Sequence, residues 1–201
     1  MLSQYFKGKI DPLFKYLIMP LPDNKSIPTI LSLIGLFLSL ITGILFAFDF
    51  IRIGGIFILL AGLFDILDGV HARINGRTSS FGAFIDSTSD RYSDMFILSG
   101  LGILYAQKFA LAYLVLTFIT MIGFVMVSYT KARVESIISK CDVGIMERPE
   151  RVIVLAIGAL TLQINVCLWI LAILTHFTVL QRIWYTYQNT EVKEREVKEV
   201  F

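Results

Sequence analysis

The chain has 201 residues, 56% of them hydrophobic and 17% charged, with a mean hydropathy of +0.72. That apolar share is well above a soluble domain's, so the composition excludes a soluble enzyme and predicts an all-α integral membrane protein built as one membrane domain. The formal net charge of +2 names no partner, and no nucleic-acid partner is expected.

Residues 1–26 form a juxtamembrane segment. Leu2, Tyr5, Phe6, Ile10, Leu13, Phe14, Leu17 and Ile18 recur at helical spacing among Lys7, Lys9 and Lys15. This pattern predicts an N-terminal amphipathic helix lying on the membrane interface, too polar to span. Asp11-Pro12 suits an N-cap and first helical position. Lysines interrupt the first twenty residues, so no cleavable signal is read there.

Six apolar runs follow, at 27–48, 51–73, 81–106, 109–133, 149–162 and 164–185. A crossing needs about 20 residues, which all but the fifth supply. Gln163 and Asn165 mark a turn after that short run. Fusing it with the sixth would leave five transmembrane helices and move the C-terminus to the other side.

The basic residues decide for six. Lys7, Lys9, Lys15, Lys25, Arg73, Arg77, Lys131, Arg133, Lys140, Arg148, Arg151, Arg182, Lys193, Arg195 and Lys198 fall on one side, against Arg52 and Lys108 on the other. Both termini are therefore expected in the cytoplasm, with a six-helix domain over 27–187 and a charged cytoplasmic tail over 188–201. Arg91 is left within the third span beside Asp90.

Four carboxylates stand where the second and third spans meet the cytoplasm: Asp65 and Asp68 before the connection, Asp86 and Asp90 after it. Residues three and four apart share a helical face. Asp65, Asp68, Gly69 and Ala72 thus form one stripe, and Gly82, Asp86, Asp90 and Asp94 another. Asn75-Gly76-Arg77 breaks the chain between them and lets the stripes meet. Clustered carboxylates in a low-dielectric place require cations, and all-oxygen ligands suit Mg²⁺ or Mn²⁺ rather than Zn²⁺. Gly69 and Gly82 leave room for a bulky ligand, and Arg73 is placed for a phosphate. Together these groups point to phosphoryl transfer. A divalent-ion transporter using the same carboxylates is the competing class, weakened because the outer halves of spans two and three carry no charge beyond Arg52.

The pattern Asp-x2-Asp-Gly-x2-Ala-Arg-x8-Gly-x3-Asp-x3-Asp, complete over 65–90, resembles the signature of the CDP-alcohol phosphotransferase family, membrane enzymes of phospholipid synthesis. The resemblance implies that Asp65, Asp68, Asp86 and Asp90 hold Mg²⁺ or Mn²⁺ at the diphosphate of a CDP-lipid donor, CDP-diacylglycerol or CDP-archaeol. It implies a cytidine and diphosphate site lined by Asp65, Asp68, Gly69, Ala72, Arg73 and Gly82, and makes Asp90 the general base that takes the proton of the acceptor hydroxyl. A homodimer among membrane lipids is implied as well. Many members open the first span with Thr-Pro-Asn, where this chain has Ile27-Pro28-Thr29; Pro28 and Thr29 are the corresponding nucleotide-contact candidates.

The acceptor is read from the connection between spans four and five. Lys131 and Arg133 end one helix, and Arg148 and Arg151 begin the next. Four cations on the aspartates' side of the membrane would suit an acceptor that already carries phosphate, with Arg182 a further candidate. Ordinary topology signal and anionic-lipid contact is the plainer reading of the same charges. Both stretches resemble the family branch that makes phosphatidylinositol phosphate, or its archaeal ether-lipid counterpart, which implies inositol 1-phosphate as acceptor. Glycerol 3-phosphate, used by phosphatidylglycerophosphate synthases, carries the same charge and is the runner-up. The remaining polar and aromatic residues read as structural: His71 and His176 as hydrogen-bonded helix residues, Cys141 and Cys167 as packing, and Trp184, Tyr185 and Tyr187 as an interfacial belt.

Overall fold

The computed structural model describes residues 27–74, 79–138 and 141–190, and the backbone alone of 191–200. The amphipathic segment before Ile27, the Asn75-Gly76-Arg77 break and Lys140 lie outside the described residues. Six helices are present among them: α1 (Ile27–Ala47), α2 (Ile51–Ile74), α3 (Ser80–Gln107), α4 (Leu111–Ile137), α5 (Arg148–Leu160) and α6 (Ile164–Val200). Four are long and apolar enough to cross a membrane, namely α1, α2, α4 and the Ile164–Thr190 part of α6. The protein is therefore an all-helical, multi-pass membrane protein.

The chain runs up and down because three connections turn sharply at one end of the bundle. Asp49, Phe109 and Leu162 each adopt a left-handed conformation, with φ of 66°, 54° and 58°, which halts a helix within one residue. Leu162 in particular separates α5 from α6, so these are two helices and not one long one. Lys108 Nζ lies 2.7 Å from Asp49 Oδ2, joining two of the turns. At the opposite end, Ser79 caps α3 by accepting a 3.0 Å hydrogen bond from the Gly82 amide, and Pro149 sits in the first turn of α5.

Helix α1 packs between α2 and α3, α4 lies against α3 and α6, and α5 against α2 and α6. The crossing of α1 and α3 is a backbone contact. A Cβ on Gly43 would fall 2.3 Å from the Phe96 carbonyl oxygen, and one on Gly100 would fall 2.0 Å from that of Gly43. Only glycine at both positions allows this approach. Phe46, Ile58, Leu98, Leu101, Leu168 and Leu171 are among the buried core side chains, while Phe37, Ile44, Ile56, Phe118, Leu180 and Trp184 point outward, as a lipid-facing surface requires. His176 bonds across to α4, its Nε2 being 3.2 Å from the Ile119 carbonyl oxygen.

The segment entering α5 folds over α6. Gly144 has φ of +138°, and a Cβ there would press on Arg182 Nη2 at 2.9 Å and Thr178 Cγ2 at 2.9 Å. The Met146 amide donates to Thr178 Oγ1 at 3.1 Å. Glycine thus lets this strap close down on the Arg182 guanidinium.

Candidate functional site

All of the carboxylates singled out from the sequence lie at the end of the bundle opposite the three tight turns. Asp65 and Asp68 come from the last turns of α2, and Asp86, Asp90 and Asp94 from successive turns of α3. One oxygen from each of Asp65, Asp68 and Asp86 falls within 4.8 Å of the others. Like charges that close require a cation, and Asp86 Oδ1 is a buried oxygen with no hydrogen-bond partner among the described residues. Three hard oxygen donors, from carboxylates of which one also carries an orphaned oxygen, fit a divalent ion such as Mg²⁺ or Mn²⁺. The cluster is braced from α1, where Ser32 Oγ lies 2.5 Å from Asp68 Oδ2.

Asp90 stands apart from that triad. Its Oδ1 is 2.8 Å from Arg148 Nη1, and its Oδ2 is 3.7 Å from Arg91 Nη1. The same Arg148 nitrogen lies 2.6 Å from Asp65 Oδ1, so one guanidinium bridges the two helices that carry the aspartates. A narrow cleft of about 10 Å³ lined by Ser32, Asp65, Ser89, Asp90 and Arg148 opens there.

Beside it is a cavity of about 190 Å³, lined by Asp90, Arg91, Lys131, Glu147, Arg148, Arg151 and Arg182 among others. Lys131 Nζ is 2.9 Å from Glu147 Oε1, and Arg182 Nη2 is 3.7 Å from the same oxygen. Arg182 is fully buried; its Nε donates to the Val143 carbonyl at 2.9 Å, and its Nη1 donates to the Val127 carbonyl. Arg151 is likewise buried. It donates to the Phe124 carbonyl at 2.8 Å, stacks 4.4 Å above the Phe124 ring and faces Asp94 at 3.4 Å. Two of the cavity's arginines are thus fixed by the protein itself, which holds their charge in place before any ligand arrives.

The structure brings Lys131, Arg148, Arg151 and Arg182 together and leaves Arg133 out. Positions two apart on a helix point to different faces. Arg133 is turned onto a separate hollow with Tyr129, Ile183 and Tyr187, where its Nη1 lies 3.4 Å from Ser136 Oγ. Its convergence with the other cations is corrected by helical phase. Arg91, Glu147 and Asp94 enter the site without having been singled out as ligand-facing. The visible signals among these were Arg91, a third-span arginine beside Asp90, and Asp94, on the same helical stripe as Asp86 and Asp90.

The nucleotide candidates surround the aspartates. Pro28 and Thr29 open α1, and the Pro28 carbonyl is 3.1 Å from Ser32 Oγ. Gly69 faces Arg73, since a Cβ there would come 3.1 Å from Arg73 Nη1. Ala72 is half-buried and Arg73 exposed at the end of α2. Gly82 has a local reason to be glycine, because a Cβ would press on the capping Ser79 Oγ at 2.9 Å.

A family model described as CDP-alcohol phosphatidyltransferase matches residues 25–184. An archaetidylinositol phosphate synthase of Pyrococcus horikoshii is 36% identical over 169 residues, covering 82% of this chain and 86% of its own. The crystal structure of a Mycobacterium tuberculosis phosphatidylinositol phosphate synthase with CDP-DAG bound superposes with a TM-score of 0.76 at 28% identity, covering 88% of this chain and 92% of that one. The same mycobacterial enzyme in complex with manganese and citrate gives a TM-score of 0.75 at 28% identity, with 88% of each chain covered. A match across most of its length, over a complete aspartate signature, places this chain in the CDP-alcohol phosphatidyltransferase family.

Proposed function

We propose that the enzyme transfers the phosphatidyl or archaetidyl group of a CDP-lipid to inositol 1-phosphate, releasing CMP and leaving a lipid that carries a phosphodiester and a phosphomonoester. The observation that carries this reading is the single cavity in which Lys131, Arg148, Arg151 and Arg182 gather beside Asp90. An acceptor phosphate there would meet several charge-assisted donors, two of them already immobile. The names of the relatives from Pyrococcus horikoshii and Mycobacterium tuberculosis point the same way.

In this reading Asp65, Asp68, Asp86 and Asp90 hold Mg²⁺ or Mn²⁺, which when bound neutralises the donor diphosphate and eases the departure of CMP. Gly69, Ala72, Arg73 and Gly82, with Pro28 and Thr29, border the nucleotide. Asp90 lines both the narrow cleft beside Asp65 and the basic cavity, so it is the carboxylate positioned to take the acceptor hydroxyl's proton. The freed oxygen attacks the phosphorus nearer the lipid, a new P–O bond forms, and the bond to CMP breaks. Lys131, Arg148, Arg151 and Arg182 orient the acceptor by its phosphate, which converts a bimolecular attack into a positioned one.

In this reading α3, which carries the charges of Asp86, Asp90, Arg91 and Asp94, and the short α5 complete a six-span body over 27–187. The basic-residue asymmetry puts both termini, the tail over 188–201 and the active site on the cytoplasmic side.

The test is CMP release by the purified enzyme from a CDP-lipid with Mg²⁺, offering inositol 1-phosphate, glycerol 3-phosphate, serine and free inositol separately. Turnover with inositol 1-phosphate alone, abolished in Asp90→Asn, is the expected result. Turnover with glycerol 3-phosphate instead would keep the chemistry and replace the acceptor.

A further inference from the structure

Arg148 borders both hollows. It lines the narrow cleft with Asp65 and Asp90, and the larger cavity with Lys131, Arg151 and Arg182. Its Nη1 makes both the 2.6 Å and the 2.8 Å contacts to the two aspartates, while its buried Nε has no hydrogen-bond partner among the described residues. A guanidinium offers five donors in a rigid fork. Concentrating its contacts on one nitrogen shared by two carboxylates, with another nitrogen left over, marks a placement governed by charge rather than by filled hydrogen bonds.

Asp65 is the pivotal partner. The carboxylate that meets Arg148 also belongs to the triad of Asp65, Asp68 and Asp86, whose oxygens lie within 4.8 Å of one another. A guanidinium at Asp65 and a divalent ion at the triad would compete for the same carboxylate and repel each other. Cations already surround the side of Arg148 that faces the larger cavity, and an anion there would draw its guanidinium across.

We propose that Arg148 couples the two sites. It serves as the counter-ion of Asp65 and Asp90 while the aspartate cluster is without metal, and it gives up Asp65 and turns to the acceptor phosphate once the cluster is loaded. Metal and acceptor phosphate then strengthen each other's binding through this side chain, reciprocally, as linkage requires. The proposal rests on the reading of the two sites given above. Attraction between a bound dication and a nearby phosphate would give some coupling without Arg148, so the comparison that matters is between variants. Lys131 is the control, a cation of the same cavity whose partner is Glu147 rather than an aspartate.

The experiment is Mn²⁺ binding to the purified full chain in detergent, without donor, followed by the electron paramagnetic resonance of the free aquo ion and repeated with inorganic phosphate. In the wild type, phosphate should tighten Mn²⁺ binding by about fivefold or more, and in Arg148→Gln by less than about twofold. Arg148→Gln should also bind Mn²⁺ more tightly than the wild type when phosphate is absent. Lys131→Gln should weaken phosphate binding and keep the wild-type ratio. Arg148→Lys, which keeps the charge and loses the fork, serves if the glutamine variant does not fold, and should also lose most of the coupling. An unchanged ratio in either Arg148 variant overturns the proposal while the site reading survives. Mn²⁺ binding that persists undiminished in Asp65→Asn would instead overturn the metal-site reading, and this proposal with it.

Discussion

Ser32 on α1 and Asp68 on α2 meet at 2.5 Å, and this hydroxyl ties the first helix to the aspartate cluster. Both side chains are buried, so the carboxylate depends on the hydroxyl in place of water. Ser32→Ala should lower stability by about 1–3 kcal/mol, the cost of leaving a buried polar group unsatisfied. It should also raise the Mn²⁺ concentration needed for half-maximal activity. Unfolding curves and a metal titration matching the wild type's would remove Ser32 from the site.

The two cations that end α4 should behave differently. Lys131 lines the basic cavity, whereas Arg133 borders another hollow. Lys131→Ala is expected to raise the KM for the phosphorylated acceptor by about tenfold, the equivalent of about 1.4 kcal/mol, and to leave the CDP-lipid KM alone. Arg133→Ala should change neither. Since the Lys131 side chain is partly exposed and its ion pair contributes about 0–1 kcal/mol, thermal stability should barely move. Equal kinetic effects at the two positions would contradict the helical phase that turns Arg133 away from the cavity.

Metal removal gives a third expectation. Treatment with a chelator should stop CMP release, and Mg²⁺ or Mn²⁺ should restore it. Asp86→Asn, which alters the carboxylate with the orphaned oxygen, should demand a higher metal concentration to reach its residual rate. Full activity in metal-free buffer would leave the aspartate cluster without its proposed role.

A fourth concerns the frame that sets the aspartates' spacing. Gly43 and Gly100 touch backbone to backbone, and a methyl group has nowhere to go without moving α1 from α3. Gly100→Ala should destabilise the fold by about 1–3 kcal/mol or more and lower the yield of folded protein. A variant as stable as the wild type would show that the helices do not approach so closely.

Much of this architecture was legible because helical periodicity acts over a few residues. Asp65 with Asp68, and Asp86 with Asp90 and Asp94, are placed on their faces by spacing alone, and the apolar runs mark the helices to within a few positions, except that α6 continues past its apolar run to Val200. The resemblance carried by the 65–90 signature pointed to the family that the match over residues 25–184 establishes. What the sequence concealed depends on how helices sit against one another. Ser32 reads as one more small residue in an apolar run until α1 is laid against α2. The Asp94–Arg151 pair joins helices distant in sequence, and Glu147 became visible as a partner of Lys131 only once the strap before α5 had closed over α6. Arg133 was grouped with its neighbours by proximity in sequence, but two positions along a helix are enough to turn a side chain to another face. Arg148 was read as an acceptor contact, and its bridge to Asp65 and Asp90 belongs to a geometry that no local pattern encodes.

The central claim is that the basic cavity selects an acceptor bearing its own phosphate. The most direct measurement is a competition: the enzyme in CDP-lipid vesicles with Mg²⁺ and equal concentrations of inositol 1-phosphate, glycerol 3-phosphate and free inositol, with the lipid product identified by mass spectrometry. The account predicts a product containing inositol, one phosphodiester and one phosphomonoester. A product made from free inositol would contradict the role given to Lys131, Arg148, Arg151 and Arg182, and one made from glycerol 3-phosphate would contradict the choice of polyol.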